Sequence, residues 1–349
     1  MRFLGLLIAS LCCFSSALFA ADDELVGEWR VTATTFAFGG APAPIDLSIE
    51  SQDGELVAYM YNGPVPIRVE GDSFEIDVDW ATPFDTTHTS TLRGRLTDDG
   101  GLEGVVDHNG DSNFLGAPME NGSFRGGRLE PRALMPEAEP QPVDLSGVWN
   151  RAFGRWPVRK LNYAMTPVGQ SVIDDYEEMD NPNSRCASMG LLMASGMPYP
   201  MEIIPTDDYL VVAYGADYVR RIYLDGREFP DTAVSSSLGF SSGEWVGDTL
   251  VVTTRELSPA FMSTRGQPVS EDAYTIEHFW LDDRGYLHGD MWLHDEKNYT
   301  RPPYIKRVYD RDFSPNVITK IGCDPFSFFR ALYLDGNLDE FWSRADQRR

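Results

Sequence analysis

The sequence predicts an all-β protein of two antiparallel barrels with short accessory helices. Short segments rich in β-branched and aromatic residues recur at even spacing, separated by Gly, Asp and Asn. The pattern Leu-x-Gly-x-Trp occurs twice, at 25–29 and at 145–149, each time before such a series. A stretch rich in proline and glutamate at 130–144 separates the two series and is typical of a stiff, solvated linker.

These observations divide the chain into a signal peptide at 1–20, a first barrel at 21–129, the linker at 130–144 and a second barrel at 145–349. Arg2 precedes an apolar run too short to span a bilayer well, and acidic residues follow it. We expect cleavage near Ala21 and a periplasmic or extracellular protein. An uncleaved anchor is the alternative.

The composition restricts the partners. The chain has 29 basic and 54 acidic residues, and its net charge of −25 repels nucleic acid and anionic lipid. We therefore expect no nucleic acid partner and no membrane insertion after signal removal. Two cysteines follow the signal, Cys186 and Cys323, and an oxidising compartment favours a disulfide between them. Two buried thiols are the alternative, and the oligomeric state stays open.

The elements follow in chain order. The first unit has alternating segments at 46–50, 55–61, 67–70, 73–79, 87–96 and 102–107, with turn residues between them. In the second unit a strand at 147–153 precedes a helix that Thr166 caps and Pro167 begins. Strands then run from 201 to about 305. Asp324 caps the first of two short C-terminal helices.

The stretch 209–255 reads as consecutive hairpins and carries the first candidate site. Arg221 and Tyr223 lie on one face of a strand, and Arg227 follows the turn that Asp225 begins. An arginine and a tyrosine inside a barrel can bind a carboxylate or phenolate. Alternatively, Arg221 pairs with an acidic residue. Trp245 is either a core residue or part of the ligand site.

A hairpin at 274–296 carries the second candidate site. Its turn, Asp-Asp-Arg-Gly, predicts a three-residue loop, and counting back pairs His278 with Asp290 and Trp280 with His288. The remaining residues of this face are Tyr274, Ile276, Trp292 and His294.

This face has the groups that acid/base chemistry needs. His278, Asp290 and His288 are the catalytic candidates, because a His-Asp pair beside a second histidine can move a proton. Pairing with Asp290 is expected to raise the pKa of His278. We place this face inside the second barrel, with Arg221 and Tyr223. The alternative is that it faces solvent, since the opposite face is at least as apolar.

Cofactors are not predicted. The sequence has no phosphate-binding glycine loop, no nucleophile elbow and no paired Cys-x-x-Cys. Three histidines and an acid can hold a metal, but we predict no metal site here.

A Gly-x-Trp motif at the start of a β-barrel resembles the lipocalins. In that family the glycine lets the chain turn into the first strand and the tryptophan plugs one end. The second unit also resembles a large, mostly uncharacterised family of secreted bacterial proteins. The matching stretches are 144–149, 161–170, 186, 199–204, 221–227, 239–252, 270–271, 277–279 and 299–302. Relatives usually have aspartate at Thr253, histidine at Val269 and arginine at His278, so a site that uses those groups is altered here.

A small barrel is either filled by side chains or holds one small ligand. We predict that the second barrel binds a small, partly apolar organic molecule, such as an aromatic or lipid-like carboxylate. Trp245, Trp280, Trp292, His294 and Arg227 complete the predicted binding residues. One alternative is a lyase, isomerase or hydrolase without an organic cofactor. Another is a surface-interaction module with filled barrels.

Overall fold

The computed structural model describes residues 24–33, 43–52, 54–60, 63–81, 87–109, 121–151, 163–197, 199–215, 218–227, 229–230, 234–312 and 323–347. The predicted signal peptide lies outside these residues. The described chain forms one compact unit up to Glu130 and a second from Pro131 onward.

The first unit is a closed antiparallel barrel of eight strands in chain order, with β1 paired to β8. Its strands are β1 (Gly27–Ala33), β2 (Ala43–Gln52), β3 (Glu55–Met60), β4 (Gly63–Glu70), β5 (Ser73–Ala81), β6 (Thr87–Leu96), β7 (Leu102–Asn109) and β8 (Gly122–Arg128).

The second unit is a closed barrel in the order β10-β11-β12-β13-β14-β17-β18-β19-β9, antiparallel except between β12 and β13. Its strands are β9 (Gly147–Arg151), β10 (Met201–Pro205), β11 (Tyr209–Tyr214), β12 (Tyr218–Tyr223), β13 (Phe240–Val246), β14 (Thr249–Arg255), β17 (Tyr274–Leu281), β18 (Leu287–His294) and β19 (Tyr304–Asp312). Two more strands, β15 (Ala260–Phe261) and β16 (Pro268–Val269), form a separate small sheet. The predicted all-β fold with two antiparallel barrels is confirmed.

In the first barrel a buried tryptophan on β1 packs against an arginine on β8. Trp29 is fully buried and donates its Nε1–H to the carbonyl of Leu25 at 2.8 Å. The Arg128 guanidinium lies 4.4 Å from the Trp29 ring and donates to the carbonyl of Val26 at 2.9 Å. A Cβ on Gly27 would lie 2.2 Å from Arg128 Nη1, so only glycine leaves space for this guanidinium.

The second barrel repeats this arrangement. Trp149 is fully buried and donates to the carbonyl of Leu145 at 2.9 Å. Arg311 lies 4.4 Å from the Trp149 ring and donates to the carbonyl of Ser146 at 2.6 Å. The two Leu-x-Gly-x-Trp motifs therefore make the same contacts in the two units.

Four α-helices lie among the described residues of the second unit: α1 (Pro167–Asp174), α2 (Gly190–Ala194), α3 (Pro325–Asp335) and α4 (Leu338–Gln347). The predicted caps of α1 and α3 are confirmed, because Thr166 and Asp324 accept hydrogen bonds from Gly169 N–H and Phe326 N–H. Helix α2 is buried throughout, and its leucines belong to the barrel's core. No helix in the described part of the chain is long and apolar enough to cross a membrane.

The C-terminal helices are attached to the barrel's long loop in two ways. The predicted disulfide between Cys186 and Cys323 is present, with a Cα–Cα distance of 5.8 Å. Arg344 of α4 also forms an ion pair with the buried Asp180 at 2.7 Å. Both contacts link 3₁₀ turns before the strands to the end of the chain.

Removing the disulfide should destabilise the protein strongly. The bridge spans 137 residues, and the chain-entropy model gives a stabilisation on the order of 4–5 kcal/mol for a loop of that length. We expect Cys186→Ser with Cys323→Ser to lower the free energy of unfolding by up to this amount in urea. Reduced wild-type protein should match the double variant. Equal stability of the oxidised wild type and the variant would contradict this expectation.

Candidate functional site

The predicted pairing of the histidine hairpin is confirmed. His278 lies opposite Asp290 and Trp280 lies opposite His288 in strands β17 and β18. The remaining pairs also match the predicted register, namely Ile276 with Trp292 and Tyr274 with His294. The turn closes through a 3.0 Å hydrogen bond from Asp282 N–H to the carbonyl of Tyr286.

The orientation of this face is the reverse of the one expected. Alternate residues of β17 and β18 belong to the buried core that contains Trp149, and they are Thr275, Glu277, Phe279, Leu287, Met291 and Leu293. Since successive side chains of a strand point to opposite faces, His278 and Asp290 lie on the outer face of the barrel. The expectation that they turn inward is wrong, because the opposite face includes more of the apolar core.

The interior holds a different polar group, centred on Arg220. This residue is 2 % exposed and forms an ion pair with Glu277, which is equally buried. Its Nε–H donates to Ser241 Oγ at 2.8 Å, and its Nη groups donate to Thr254 Oγ1 at 2.6 Å and Tyr214 Oη at 3.2 Å. Every polar group of this network therefore has a partner.

Electrostatics in the interior follow from burial and pairing. Burial disfavours the Arg220 cation, but Glu277 and Tyr214 more than offset this, so the pKa of Arg220 is raised. Burial also raises the pKa of Tyr214 to about 12. A cavity of about 10 Å³ lies beside Tyr214, Glu277 and Arg307, and it has room for about one water molecule.

The sequence does not single out Arg220, because two arginines stand side by side in β12 and they face opposite sides of the sheet. Ile222 is 1 % exposed and lies on the same face of β12 as Arg220, so Arg220 faces the interior and Arg221 faces outward. The pattern of β12 alone does not distinguish them, since its apolar residues fall on both faces.

On the outer face, part of the predicted linker covers the histidine hairpin. We call residues 131–143 the strap. Arg132 donates through Nη2 to the carboxylate of Asp248, at 2.8 and 3.0 Å, and its guanidinium lies 4.8 Å from the Trp280 ring. Further along, Gln141 N–H donates to the carbonyl of Gly247 at 2.8 Å. The strap is thus attached to the second barrel near both of its ends.

Asp290 is the most deeply buried member of this face, with no exposed surface. Its carboxylate accepts from Tyr304 Oη at 2.8 Å and from Trp280 Nε1 at 3.2 Å, and it forms an ion pair with Lys306 at 3.2 Å. These donors replace the expected partner, since no hydrogen bond joins His278 to Asp290 among the described residues.

Burial has the largest effect on the pKa values of both histidines. Burial lowers the pKa of His278 and outweighs the opposing effect of Asp290, so the predicted rise is wrong. Burial also lowers the pKa of His288, against the effect of Asp282. The Asp282 carboxyl would have a raised pKa from burial alone, but hydrogen bonds from His288 and from backbone N–H groups lower it to about 2.

The tautomer of His288 follows from this pair. An ionised carboxylate only accepts hydrogen bonds, so His288 Nε2, 3.1 Å from Asp282 Oδ2, carries the proton. The neutral ring then has its lone pair on Nδ1. This atom is buried without a hydrogen-bond partner among the described residues, and so are His278 Nδ1 and Arg132 Nη1.

The predicted binding residues on β12 and in the turn after it do not join this cluster. Arg221 and Tyr223 lie on the outer face of β12, and the Arg221 guanidinium is 5.6 Å from the Tyr209 ring. Arg227 pairs with Asp225 in the turn and lies 4.2 Å from the Tyr223 ring. Strands β13 and β14 separate these residues from β17.

Of the three remaining predicted residues, Trp292 does join the cluster, because its ring lies 4.7 Å from the His278 ring. Trp245 packs against the interior core, so it lies on the opposite face from the histidines. His294 stacks on Tyr274 at 4.5 Å, and Trp292 stacks on Tyr304 at 5.2 Å. In the described ranges no group of three or more His, Cys, Asp or Glu is arranged to hold a metal ion.

No protein-family model and no curated protein matches the chain. A putative outer membrane protein from Bacteroides fragilis is 10% identical, with 84% of this chain and 99% of that chain covered, at a TM-score of 0.22. A DUF3598 family protein of unknown function from Nostoc punctiforme is 12% identical, with 85% and 99% covered, at a TM-score of 0.23. These TM-scores support no conclusion about fold or function.

The interior ion pair should be essential for stability. Glu277→Gln leaves the Arg220 cation buried without its counter-charge, which typically costs about 3–5 kcal/mol. Urea unfolding should show this loss, while Glu244→Gln on the exposed face should change stability by no more than about 0.5 kcal/mol. The double substitution Arg220→Met with Glu277→Leu should recover most of the loss. Equal effects of Glu277→Gln and Glu244→Gln would contradict this role.

The buried histidines predict how stability depends on pH. The unfolded chain has histidines near their ordinary pKa of 6.5, and the folded pKa values of His278 and His288 are lower. The unfolded state therefore binds more protons between the two values, so the free energy of unfolding should rise with pH through this window. His278→Gln with His288→Gln should show a smaller rise than the wild type. An unchanged rise would mean that other groups cause it.

Proposed function

We propose that the outer face of the second barrel beneath the strap binds a small, partly apolar organic acid. One observation carries the proposal: three nitrogen atoms on this face, from His278, His288 and Arg132, are buried without a partner in the described structure. A buried polar atom without a partner costs about 1–3 kcal/mol, and such atoms call for an explanation in function. A bound ligand that pairs with them offsets the cost.

The chemistry of the ligand follows from these groups. Arg132 Nη1 is a donor and suits a carboxylate, whereas the lone pair of His288 Nδ1 suits a hydroxyl hydrogen. Trp280 contacts both residues, with its ring 4.0 Å from His288 and 4.8 Å from the Arg132 guanidinium. An aromatic or aliphatic hydroxy acid has the carboxylate, the hydroxyl and the apolar part that this surface can receive.

The interior is a poorer candidate for the ligand. The Arg220 network satisfies its own polar groups, and the described cavity beside it has a volume of about 10 Å³. A drug-sized ligand needs a few hundred Å³. These observations favour a ligand site on the outer wall of the second barrel over one in its interior.

The compartment agrees with an extracytoplasmic binding protein. The Cys186–Cys323 disulfide is a bond that oxidising compartments favour. The predicted signal peptide, the lipocalin-like motifs and the resemblance to secreted bacterial proteins support the same location.

A second candidate function is general-base catalysis by His288. Asp282 holds the protonated Nε2 at 3.1 Å, which leaves Nδ1 as the basic atom. This is the geometry in which a carboxylate orients an imidazole for proton abstraction. Nδ1 would then take a proton either from a substrate hydroxyl or from a water molecule that attacks an ester carbonyl, and in the second case the alcohol leaves and receives that proton.

Titration with 4-hydroxybenzoate and with 12-hydroxydodecanoate, monitored by tryptophan fluorescence, tests binding. We expect Arg132→Gln to weaken the affinity for the acid that binds by about tenfold or more, the value of a charge-assisted hydrogen bond. His288→Gln should weaken it by about fivefold, the value of a neutral hydrogen bond of about 1 kcal/mol. His294→Gln is the matched control, since His294 lies on the same face and contacts Tyr274 instead.

The outcomes separate the two candidates. Equal affinities in all three variants, or no binding of either acid, would exclude the proposed site. Hydrolysis of methyl 4-hydroxybenzoate that His288→Gln and Asp282→Asn abolish would favour the general base. Binding without hydrolysis favours the binding protein.

A further inference from the structure

The first barrel carries a large concavity that the proposed function does not use. Its volume is about 760 Å³. Most of its lining residues alternate with the apolar core residues of β4 to β8 and so lie on the outer face of that sheet. The lining residues are Arg68, Glu70, Ser73, Phe74, Glu75, Arg93, Gly94, Arg95, Glu103, Gly104, Val105, Ser123, Phe124 and Arg125.

Two cross-strand rows of side chains form the walls. The first row runs Arg68, Glu75, Arg93, Val105, Ser123 across five strands, and the second runs Glu70, Ser73, Arg95, Glu103, Arg125. In each row two arginines flank a glutamate. Since neighbouring strands lie about 4.8 Å apart, the backbones of the two arginines in a row are about 10 Å apart.

Glycines form the floor between the rows. Gly94 and Gly104 face each other on adjacent strands, and the space inward of both is filled by the ring of Phe124. A Cβ on Gly94 would lie 2.5 Å from Phe74 Cζ, and one on Gly104 would lie 2.1 Å from the carbonyl of Arg93. The backbone therefore approaches the core more closely here than residues with side chains allow, and the outer face is left open.

The arginines are concentrated at this concavity. Between Glu24 and Glu130 the chain has only six arginines and no lysine against nineteen acidic residues, and four of the six arginines line the concavity. Their side chains are more than half exposed. Arg95 reaches Glu103 through one nitrogen only, and Arg125 lies 3.6 Å from Asp99. Each guanidinium has five N–H donors, so these contacts leave donors for a ligand.

We propose that this concavity binds an oligosaccharide of sugar acids. A carboxylate of the sugar pairs with a guanidinium in the geometry that arginine favours. The glutamate between two arginines accepts hydrogen bonds from sugar hydroxyls. Exposed ion pairs contribute little stability, so exchanging them for ligand contacts costs little. The alternation of arginine and glutamate therefore fits a chain in which carboxylates alternate with hydroxyl-bearing carbons.

Other ligands fit less well. A single inorganic anion could pair with two arginines of one row, as the Glu75 carboxylate does, but it would leave the second row and most of the concavity empty. A nucleic acid has a much higher charge density, which the acidic surface around the concavity repels. A neutral saccharide has no carboxylate for the guanidinium donors that the surrounding acidic residues leave unused.

Isothermal titration of the full chain with an oligogalacturonate hexamer tests the proposal. We expect binding that weakens with added salt and weakens about tenfold or more in Arg93→Ala and in Arg125→Ala. Val105→Trp should also weaken binding, because Val105 is 45 % exposed within the concavity and the indole would block part of it without removing a charge. Arg30→Ala, on the outer face of β1, is the matched control and should bind as the wild type.

Comparison ligands decide the class. Maltohexaose should bind at least tenfold more weakly than the hexamer, and so should a glutamate hexapeptide. Equal binding of either would overturn the sugar-acid class, and stronger binding of a dextran sulfate oligomer would replace carboxylate by sulfate as the group recognised. No binding of the hexamer would overturn the site. So would binding as tight as in the wild type by Arg93→Ala, Arg125→Ala and Val105→Trp, provided that these variants retain the wild-type circular dichroism spectrum.

Discussion

The ion pair between Arg220 and Glu277 is the interaction on which the second barrel depends. Taking two charges out of water costs several kcal/mol per ion, and only full hydrogen bonding offsets this. Tyr214, Ser241 and Thr254 supply those hydrogen bonds from three further strand positions. Because these five side chains must meet inside, they also determine which residues of their strands face outward.

Both barrels have packed hydrophobic cores, so the two proposed ligand sites lie on their outer faces. In each unit a buried tryptophan and an arginine close the barrel in the same way, and the core residues fill the space behind them. The chemistry that remains lies on the outer faces. On the second barrel the strap lies against Trp280 and Asp290, and on the first barrel a concavity lies between rows of charged side chains.

Burial by the strap changes the character of the histidine face. Without a cover, imidazole and carboxylate groups on the outside of a sheet would be solvated and keep their ordinary pKa values. With Arg132 beside Trp280, burial lowers the pKa of both histidines and makes unpaired nitrogen atoms costly. The same burial strengthens any hydrogen bond that a ligand makes there, since the local dielectric constant is lower.

The sequence by itself determined the fold class, the helix caps and the register of β17 with β18, because turn residues and strand alternation are local signals. It left open whether Cys186 and Cys323 form a disulfide, and the structure shows that they do. The same turn and alternation predicted that His278, His288 and Asp290 share one face of the hairpin. Only the tertiary structure decided that this face is outside, that Arg220 rather than Arg221 is inside, and that a proline-rich segment becomes the strap. A strand's alternation fixes two faces but not which is buried, since that depends on all nine strands closing around one core.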